Sequence, residues 1–181
     1  KRLRFHYSTK VRLVQQVPEA PLHDRIDMSN THNLPGSSFY QDGTLFHGQK
    51  FQGIEQVLNI GEQGLTLECC LPKISAKEQG QFVTSDFNPF AADLAFQAML
   101  IWAWRFHQSG SLPLKTDLLE HFRNVESATR FFLSMSVNKS SASTLNANLF
   151  LHDDQGLLYT RMLGAEVTLS KSLNSLFGKN N

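Results

Sequence analysis

The chain has 181 residues, of which 41% are hydrophobic and 18% charged, and its formal net charge is +1 at pH 7. This composition is typical of a folded domain and excludes a disordered chain, and the length suits one good-sized domain or one small domain with a long arm. The near-zero charge, with a basic cluster only in residues 1–4, makes nucleic acid a poor candidate for a partner.

The apolar runs and the cysteines favour a cytoplasmic protein without a membrane span. The longest apolar run, residues 98–104, is far too short to cross a bilayer, and no signal peptide is visible. The only two cysteines are Cys69 and Cys70, which would point to opposite faces of a strand, so no disulfide framework is expected. The scattered histidines match no metal-binding motif, so no metal site is expected.

The first quarter of the chain has no sustained pattern of its own. Residues 1–16 have the composition of a strand without neighbours, and the chain starts at Lys1. We expect a piece cut from a larger polypeptide, although removal of an initiator Met or a tag explains the start equally well. Residues 17–43 contain three prolines and no apolar period, which predicts a linker or an arm lying over a surface.

The rest of the chain predicts strands on either side of one long helix. Residues 51–60 and 65–71 flank a Gly-Glu-Gln-Gly turn signal, which predicts an antiparallel hairpin. Later strands are predicted, with a bulge at Gly164, in four segments: 118–125 (weaker), 128–138, 145–153 and 157–169.

Between these groups of strands lies an almost wholly apolar helix. Asp86 or Asn88 is the expected cap, with Pro89 in the first turn, and the helix should end near His107. Two strands, a long helix and then antiparallel strands indicate an α+β fold in which the sheet wraps the helix. This is the hot-dog architecture, expected over residues 44–172, with residues 173–181 as a tail.

One carboxylate, Asp93, lies on this apolar helix, and Gln97 follows four residues later on the same face. A carboxylate there is costly to bury unless it has a partner or a chemical task. Gln97 can donate a hydrogen bond that fixes the carboxyl while leaving one oxygen free, which predicts an acid site in an apolar pocket. The alternative is a carboxylate stabilised by the helix dipole, followed by a solvated glutamine.

Residues 45–54, followed about forty residues later by Asp-x-x-x-Gln, resemble the second hot-dog half of dehydratase domains. Those domains occur in polyketide synthases and in bacterial polyunsaturated fatty acid synthases. Their pattern is a Gly-Pro-x-Phe-Gln-Gly turn and then a helix with Asp-x-x-x-Gln or Asp-x-x-x-His. Gln49 stands where the pattern has proline. The matching residues are Gly48, Phe51, Gln52, Gly53, Asp93 and Gln97.

The resemblance covers about residues 38–170, and residues 1–16 correspond to a terminal strand of the preceding hot dog. The start of the motif, residues 45–48, favours the polyunsaturated fatty acid branch over the polyketide branch. The resemblance implies a multidomain synthase, with other synthase domains and acyl carrier protein as partners.

In the family the active site lies between two hot dogs of one chain. The resemblance implies that a histidine of the first half takes the α-proton of a β-hydroxyacyl thioester, while Asp93 protonates or holds the departing hydroxyl and Gln97 positions Asp93. The substrate is carried on the phosphopantetheine of acyl carrier protein, so no cofactor of the chain's own is expected. The expected substrate-binding residues are His47, Gly48, Phe51 and Gly53. On the residues alone, closing a turn is the favoured role of His47.

The chain departs from the family pattern in one important respect. None of its seven histidines starts the His-x-x-x-Gly-x-x-x-x-Pro motif of the first half. The isolated chain is therefore expected to be inactive until an N-terminal hot-dog half or a second copy supplies the base. Two alternatives stay open: a non-catalytic hot-dog scaffold or pseudo-dehydratase in the same synthase, and a self-paired hot-dog thioesterase.

Overall fold

A long helix packed against one antiparallel sheet forms the fold, in a computed structural model that describes residues 6–24, 26–29, 31–75, 77–78 and 87–177. The strands in chain order are β1 Leu34–Pro35, β2 Ile54–Gly61, β3 Gly64–Cys70, β4 Gly110–Lys115, β5 Leu118–His121, β6 Arg130–Ser140, β7 Thr144–His152 and β8 Leu158–Ser170. The helices are α1 Gly36–Gln41, α2 Pro89–His107 and α3 Asn174–Phe177, with 3-10 helices at Gln49–Phe51 and Lys171–Leu173.

The sheet follows the order β1-β2-β3-β6-β7-β8-β4, with β5 also paired to β8, and its pairings are antiparallel. The predicted hairpin is confirmed, since β2 and β3 pair with Gly61 opposite Gly64. The strands predicted late in the chain are confirmed as β6, β7 and β8. The predicted bulge is also confirmed: Gly164 has φ +62° and lies where the β7–β8 register shifts.

Helix α2 begins and ends where its local sequence predicts. The side chain of Asn88 accepts hydrogen bonds from the backbone N–H groups of Phe90 (3.0 Å) and Ala91 (3.4 Å), so the predicted cap is confirmed. The other candidate cap, Asp86, lies outside the described residues. Ten of the 19 residues of α2 are buried, because the sheet covers most of its surface. None of the helices in the described parts of the chain is long and apolar enough to cross a membrane.

The core lies between α2 and the inner face of the sheet. Alternate residues of β7, from Leu145 to Leu151, have no exposed surface, as expected for a strand with one buried face. Cys69 is likewise fully buried whereas Cys70 is half-buried, and both are free thiols. The predicted opposite orientation of the two cysteines is confirmed.

Two elements differ from the sequence predictions. The segment 17–43, predicted to be a linker or arm, contains β1 and the short helix α1. Pro113 lies within strand β4, in a stretch for which the sequence predicts no strand. Strand β4 forms an edge of the sheet, where the missing N–H of proline is tolerated. The weaker strand predicted at 118–125 forms β5, which ends earlier than predicted, at His121.

The N-terminal residues divide into an arm and an exposed stretch. The backbone N–H of His23 donates to Gly156 (2.8 Å), and that of Leu158 donates to Pro21 (3.0 Å), so this part lies along the sheet. The strand predicted for residues 1–16 does not form at residues 6–16, which are exposed. A strand needs a neighbour for its backbone groups. The origin of residues 1–16 in a preceding hot dog stays a prediction.

Gly36 allows α1 to pack closely against β2. A Cβ atom there would lie 2.0 Å from the backbone oxygen of Ile54. We expect Gly36→Ala to lower the free energy of unfolding by about 1–3 kcal/mol, because the backbone of β2 would have to shift. The matched control is Gly61→Ala, whose added Cβ meets nothing within 4 Å and should change stability by less than about 0.5 kcal/mol. Urea unfolding measures both, and equal stabilities would contradict the close packing.

Candidate active site

Two segments contact the N-terminal half of α2 and form a site with it. Helix α2 contributes Asp93 and Gln97, the loop before the first 3-10 helix contributes His47, and α1 contributes Tyr40. The loop and α1 are far from α2 in the chain, and the 3-10 helix Gln49–Phe51 and then β2 follow the loop. The four side chains form one connected polar group on an otherwise apolar helix face.

Gln97 is the centre of this group and is fully buried. Its Nε2 donates to Oδ2 of Asp93 (2.9 Å) and to the backbone oxygen of Phe51 (2.8 Å). Its Oε1 accepts a hydrogen bond from the hydroxyl of Tyr40 (2.8 Å). The hydrogen bond predicted from the Asp93–Gln97 spacing is confirmed, and the alternative of a solvated glutamine is wrong. A reversed amide would place Oε1 against two acceptors, so only one orientation satisfies these partners.

Tyr40 was missed by sequence reasoning. Its hydroxyl also accepts a hydrogen bond from the backbone N–H of Ile54 (3.3 Å). Burial raises the pKa of the Tyr40 phenol, which keeps it a neutral hydrogen-bond donor to Gln97. Tyr40 and Gln97 are 57 positions apart, and a contact across that distance leaves no periodic signal in the sequence.

Asp93 has one anchored and one free carboxyl oxygen. Oδ2 accepts from Gln97 and lies 3.4 Å from Nε2 of His47. Oδ1 has no hydrogen-bond partner among the residues that the structure describes. The side chain of Asp93 is 30% exposed and lines a cavity. The carboxyl is therefore held at one oxygen and available at the other, in agreement with the sequence prediction.

His47 is placed differently from its favoured sequence prediction. Its backbone oxygen does take part in the turn, since it accepts from Nε2 of Gln52 (2.9 Å). Its ring, however, faces Asp93, stacks on Phe46 with centroids 4.5 Å apart and is only 14% exposed. Burial lowers the pKa of the imidazole, although the charge of Asp93 opposes this. The preference for a turn-closing role alone is therefore wrong.

The cavity beside these residues has a volume of about 360 Å³. Its polar end is formed by Asp93 and His47, and most of its other walls are apolar. Gly53 does not line it: that residue is buried against Leu71 and Leu94, where an added Cβ would come within 3.2 Å of both. No group of metal-ligating side chains occurs in the described part of the chain. The lining residues are Phe46, His47, Gly48, Phe51, Asp93, Phe96, Leu100, Ser111, Pro113 and Val167.

Comparison with known sequences places this site in a family context. Residues 18–176 match the family model described as polyketide synthase dehydratase N-terminal domain. The chain is also 32% identical over 126 residues to one subunit of the polyunsaturated fatty acid synthase of Thraustochytrium sp., and the alignment covers 68% of this chain and 4% of that protein.

Solved structures of similar fold include dehydratase domains. A trans-AT PKS dehydratase domain from Brevibacillus brevis superimposes with a TM-score of 0.64 at 21% identity, covering 85% of this chain and 55% of that one. The dehydratase domain from the CurJ module of curacin polyketide synthase gives a TM-score of 0.61 at 21% identity, with 78% and 51% covered. The fold is therefore the hot-dog fold of these domains, and the chain spans about half the length of each.

Tyr40→Phe tests whether the polar group is connected as described. The variant removes the donor to Gln97 and leaves a buried amide oxygen unpaired, so we expect the free energy of unfolding to fall by about 1–3 kcal/mol. Tyr7→Phe is the matched control. Because Tyr7 is 90% exposed, loss of its hydroxyl should change the free energy of unfolding by less than about 0.5 kcal/mol. Urea unfolding of the 181-residue chain measures both. A Tyr40→Phe variant as stable as the control would exclude the Tyr40–Gln97 hydrogen bond.

Proposed function

Since this chain belongs to the polyketide synthase dehydratase family, we propose that it takes part in eliminating water from a β-hydroxyacyl thioester, with Asp93 as the acid. One observation carries the assignment of the acid. Gln97 anchors Oδ2 of Asp93 and leaves Oδ1 without a partner among the described residues, at the polar end of an apolar cavity. A carboxyl held in this way has one fixed direction in which to donate a proton.

In the proposed reaction a base removes the α-proton, and the electrons of that C–H bond form the double bond between the α and β carbons. The bond between the β carbon and its oxygen breaks at the same time. Oδ1 of Asp93 donates its proton to the departing hydroxyl, which leaves as water. The carboxylate that remains is stabilised by the hydrogen bond from Gln97 to Oδ2. The product is an enoyl thioester.

The apolar walls of the cavity suit the acyl chain. Phe51, Phe96 and Leu100 line it away from the carboxyl and would exclude water from the reacting carbons. We propose that the thioester arrives on the phosphopantetheine arm of acyl carrier protein, so that the chain needs no cofactor of its own. Acyl carrier protein and other synthase domains are then its partners in the cytoplasm.

The base must come from outside the described residues of this chain. His47 is the histidine that lines the cavity, and its Nε2 faces Asp93. No histidine of the chain starts the motif expected of the base. We therefore propose that a second hot dog, either an N-terminal half or a second copy, supplies it. The half length of the chain relative to solved dehydratase domains supports this arrangement.

A sheet edge beside the cavity suits such a second hot dog. Ser111 and Pro113 of β4 line the cavity, and β4 lies at the end of the sheet with β8 as its partner. Leu112 and Leu114 on the same strand are 37% and 54% exposed. An edge with exposed leucines and no further strand among the described residues is a surface that another sheet can cover. In this proposal the chain is the second, acid-bearing half, although the matching family model is described as an N-terminal domain.

A dehydration assay tests the proposed function. The substrate is a β-hydroxyacyl carrier protein or a thioester mimic, and this chain is compared with a version extended at its N-terminus by one hot dog. We expect water loss only with the longer version. Asp93→Asn should lower its rate about 100-fold or more, the usual range for loss of a general acid. The matched control is Asp154→Asn, which changes an exposed carboxylate in the β7–β8 turn.

Three other outcomes would contradict the proposal. Full activity of the extended Asp93→Asn variant would remove Asp93 as the acid. Inactivity of both versions, with the longer one folded, would favour the non-catalytic scaffold. Hydrolysis of acyl-CoA by the chain alone would favour the thioesterase.

A further inference from the structure

His47 lies beside Asp93 in the cavity, and its ring has no task in the reaction described above. We propose that His47 is a positioning residue that, as a neutral donor, holds Oδ2 of Asp93 together with Gln97. This inference rests on the proposed function, because it gives His47 a role through the carboxyl that is to act as the acid.

The contact between the two side chains fixes which ring nitrogen carries hydrogen. Nε2 of His47 lies 3.4 Å from Oδ2 of Asp93. A lone pair on Nε2 would repel the carboxyl oxygen, whereas an N–H at that position is attracted to it. A neutral His47 is therefore expected to be the Nε2–H tautomer in this arrangement. Gln97 then donates a hydrogen bond to Oδ2 while the Nε2–H of His47 faces the same oxygen at 3.4 Å, which leaves Oδ1 for the substrate.

The other ring nitrogen shows that packing alone does not explain a histidine at this position. Nδ1 is buried and has no hydrogen-bond partner in the described part of the chain, and a buried unpaired polar atom is unfavourable. A phenylalanine would stack on Phe46 equally well without that penalty. The contact of Nε2 with Asp93 is the feature that only the histidine provides.

The surroundings keep the ring neutral near neutral pH. Of the residues that line the cavity, Asp93 is the one other titratable group, and the remainder are apolar or uncharged. The nearby Lys50 is paired with Glu78 (3.2 Å). Burial lowers the pKa of His47 more than Asp93 raises it, so the imidazolium forms only at acidic pH.

The sign of the resulting pH effect follows from the charges. Once protonated, His47 places a positive charge against Asp93 and favours the carboxylate over the carboxyl. The acid then holds its proton less readily for the departing hydroxyl. Dehydration should therefore decline as the pH falls through the pKa of His47, which lies below the ordinary imidazole value.

Nitrogen NMR of the imidazole tests the pairing in the 181-residue chain without any activity. We expect His47 to be the Nε2–H tautomer, and we expect its pKa to fall further in the Asp93→Asn variant, because the negative charge that raises it is gone. An Nδ1–H tautomer, or a pKa that does not respond to Asp93→Asn, would overturn the pairing.

The pH profile of kcat tests the positioning role in the version that dehydrates. His47→Phe keeps the stacking ring but no donor, and should lower kcat about tenfold or more with little change in KM, as for the loss of a charge-assisted hydrogen bond. His47→Gln keeps a neutral donor and should restore part of kcat while abolishing the decline at acidic pH. Equal kcat for both variants, or an unchanged acidic decline in His47→Gln, would overturn the role.

The two experiments separate this inference from the proposed function. If the NMR result is as expected and Asp93→Asn still dehydrates at the full rate, the pairing is correct but Asp93 is not the acid. If Asp93→Asn is inactive and the tautomer is Nδ1–H, Asp93 keeps its role and His47 loses its own.

Discussion

The geometry of the candidate site depends on one buried amide. Gln97 has no exposed surface, so each of its polar atoms needs a protein partner. Those partners come from three places: α1, the backbone of the first 3-10 helix, and the carboxyl of Asp93 one turn earlier on α2. Moving any of the three leaves a buried polar group unpaired. The side chain of Gln97 thus fixes the positions of α1 and of the first 3-10 helix relative to α2.

This constraint explains why the site lies at the boundary of the fold and not in its core. Beyond Gln97 towards the C-terminus, α2 is covered by the sheet and carries small or apolar buried residues such as Ala98, Met99 and Ala103. Asp93 lies one turn earlier, where the edge strand β4 forms a wall of the cavity. The carboxyl therefore keeps partial exposure and needs only the partners that Gln97 and His47 provide.

Features encoded by local pattern were predictable from the sequence, and features made by distant contacts were not. The limits of α2, its Asn88 cap and the β2–β3 hairpin follow from neighbouring residues, as does the i, i+4 hydrogen bond from Gln97 to Asp93. Tyr40 reaches Gln97 from another element. β4 contains a proline that argues against a strand until the sheet order shows it to be an edge. The ring of His47 faces Asp93, which lies on another element.

The site contains two side chains of opposite possible charge in contact with each other. The phenol of Tyr40 and the amide of Gln97 are neutral, which leaves Asp93 and His47 as the two side chains of this polar group that can carry charge. These two groups lie in contact, so a proton gained by one changes the proton affinity of the other directly. In the proposed function this coupling favours a base carried by a second body over His47, and the exposed leucines of β4, the strand that lines the cavity, are the surface that such a body would cover.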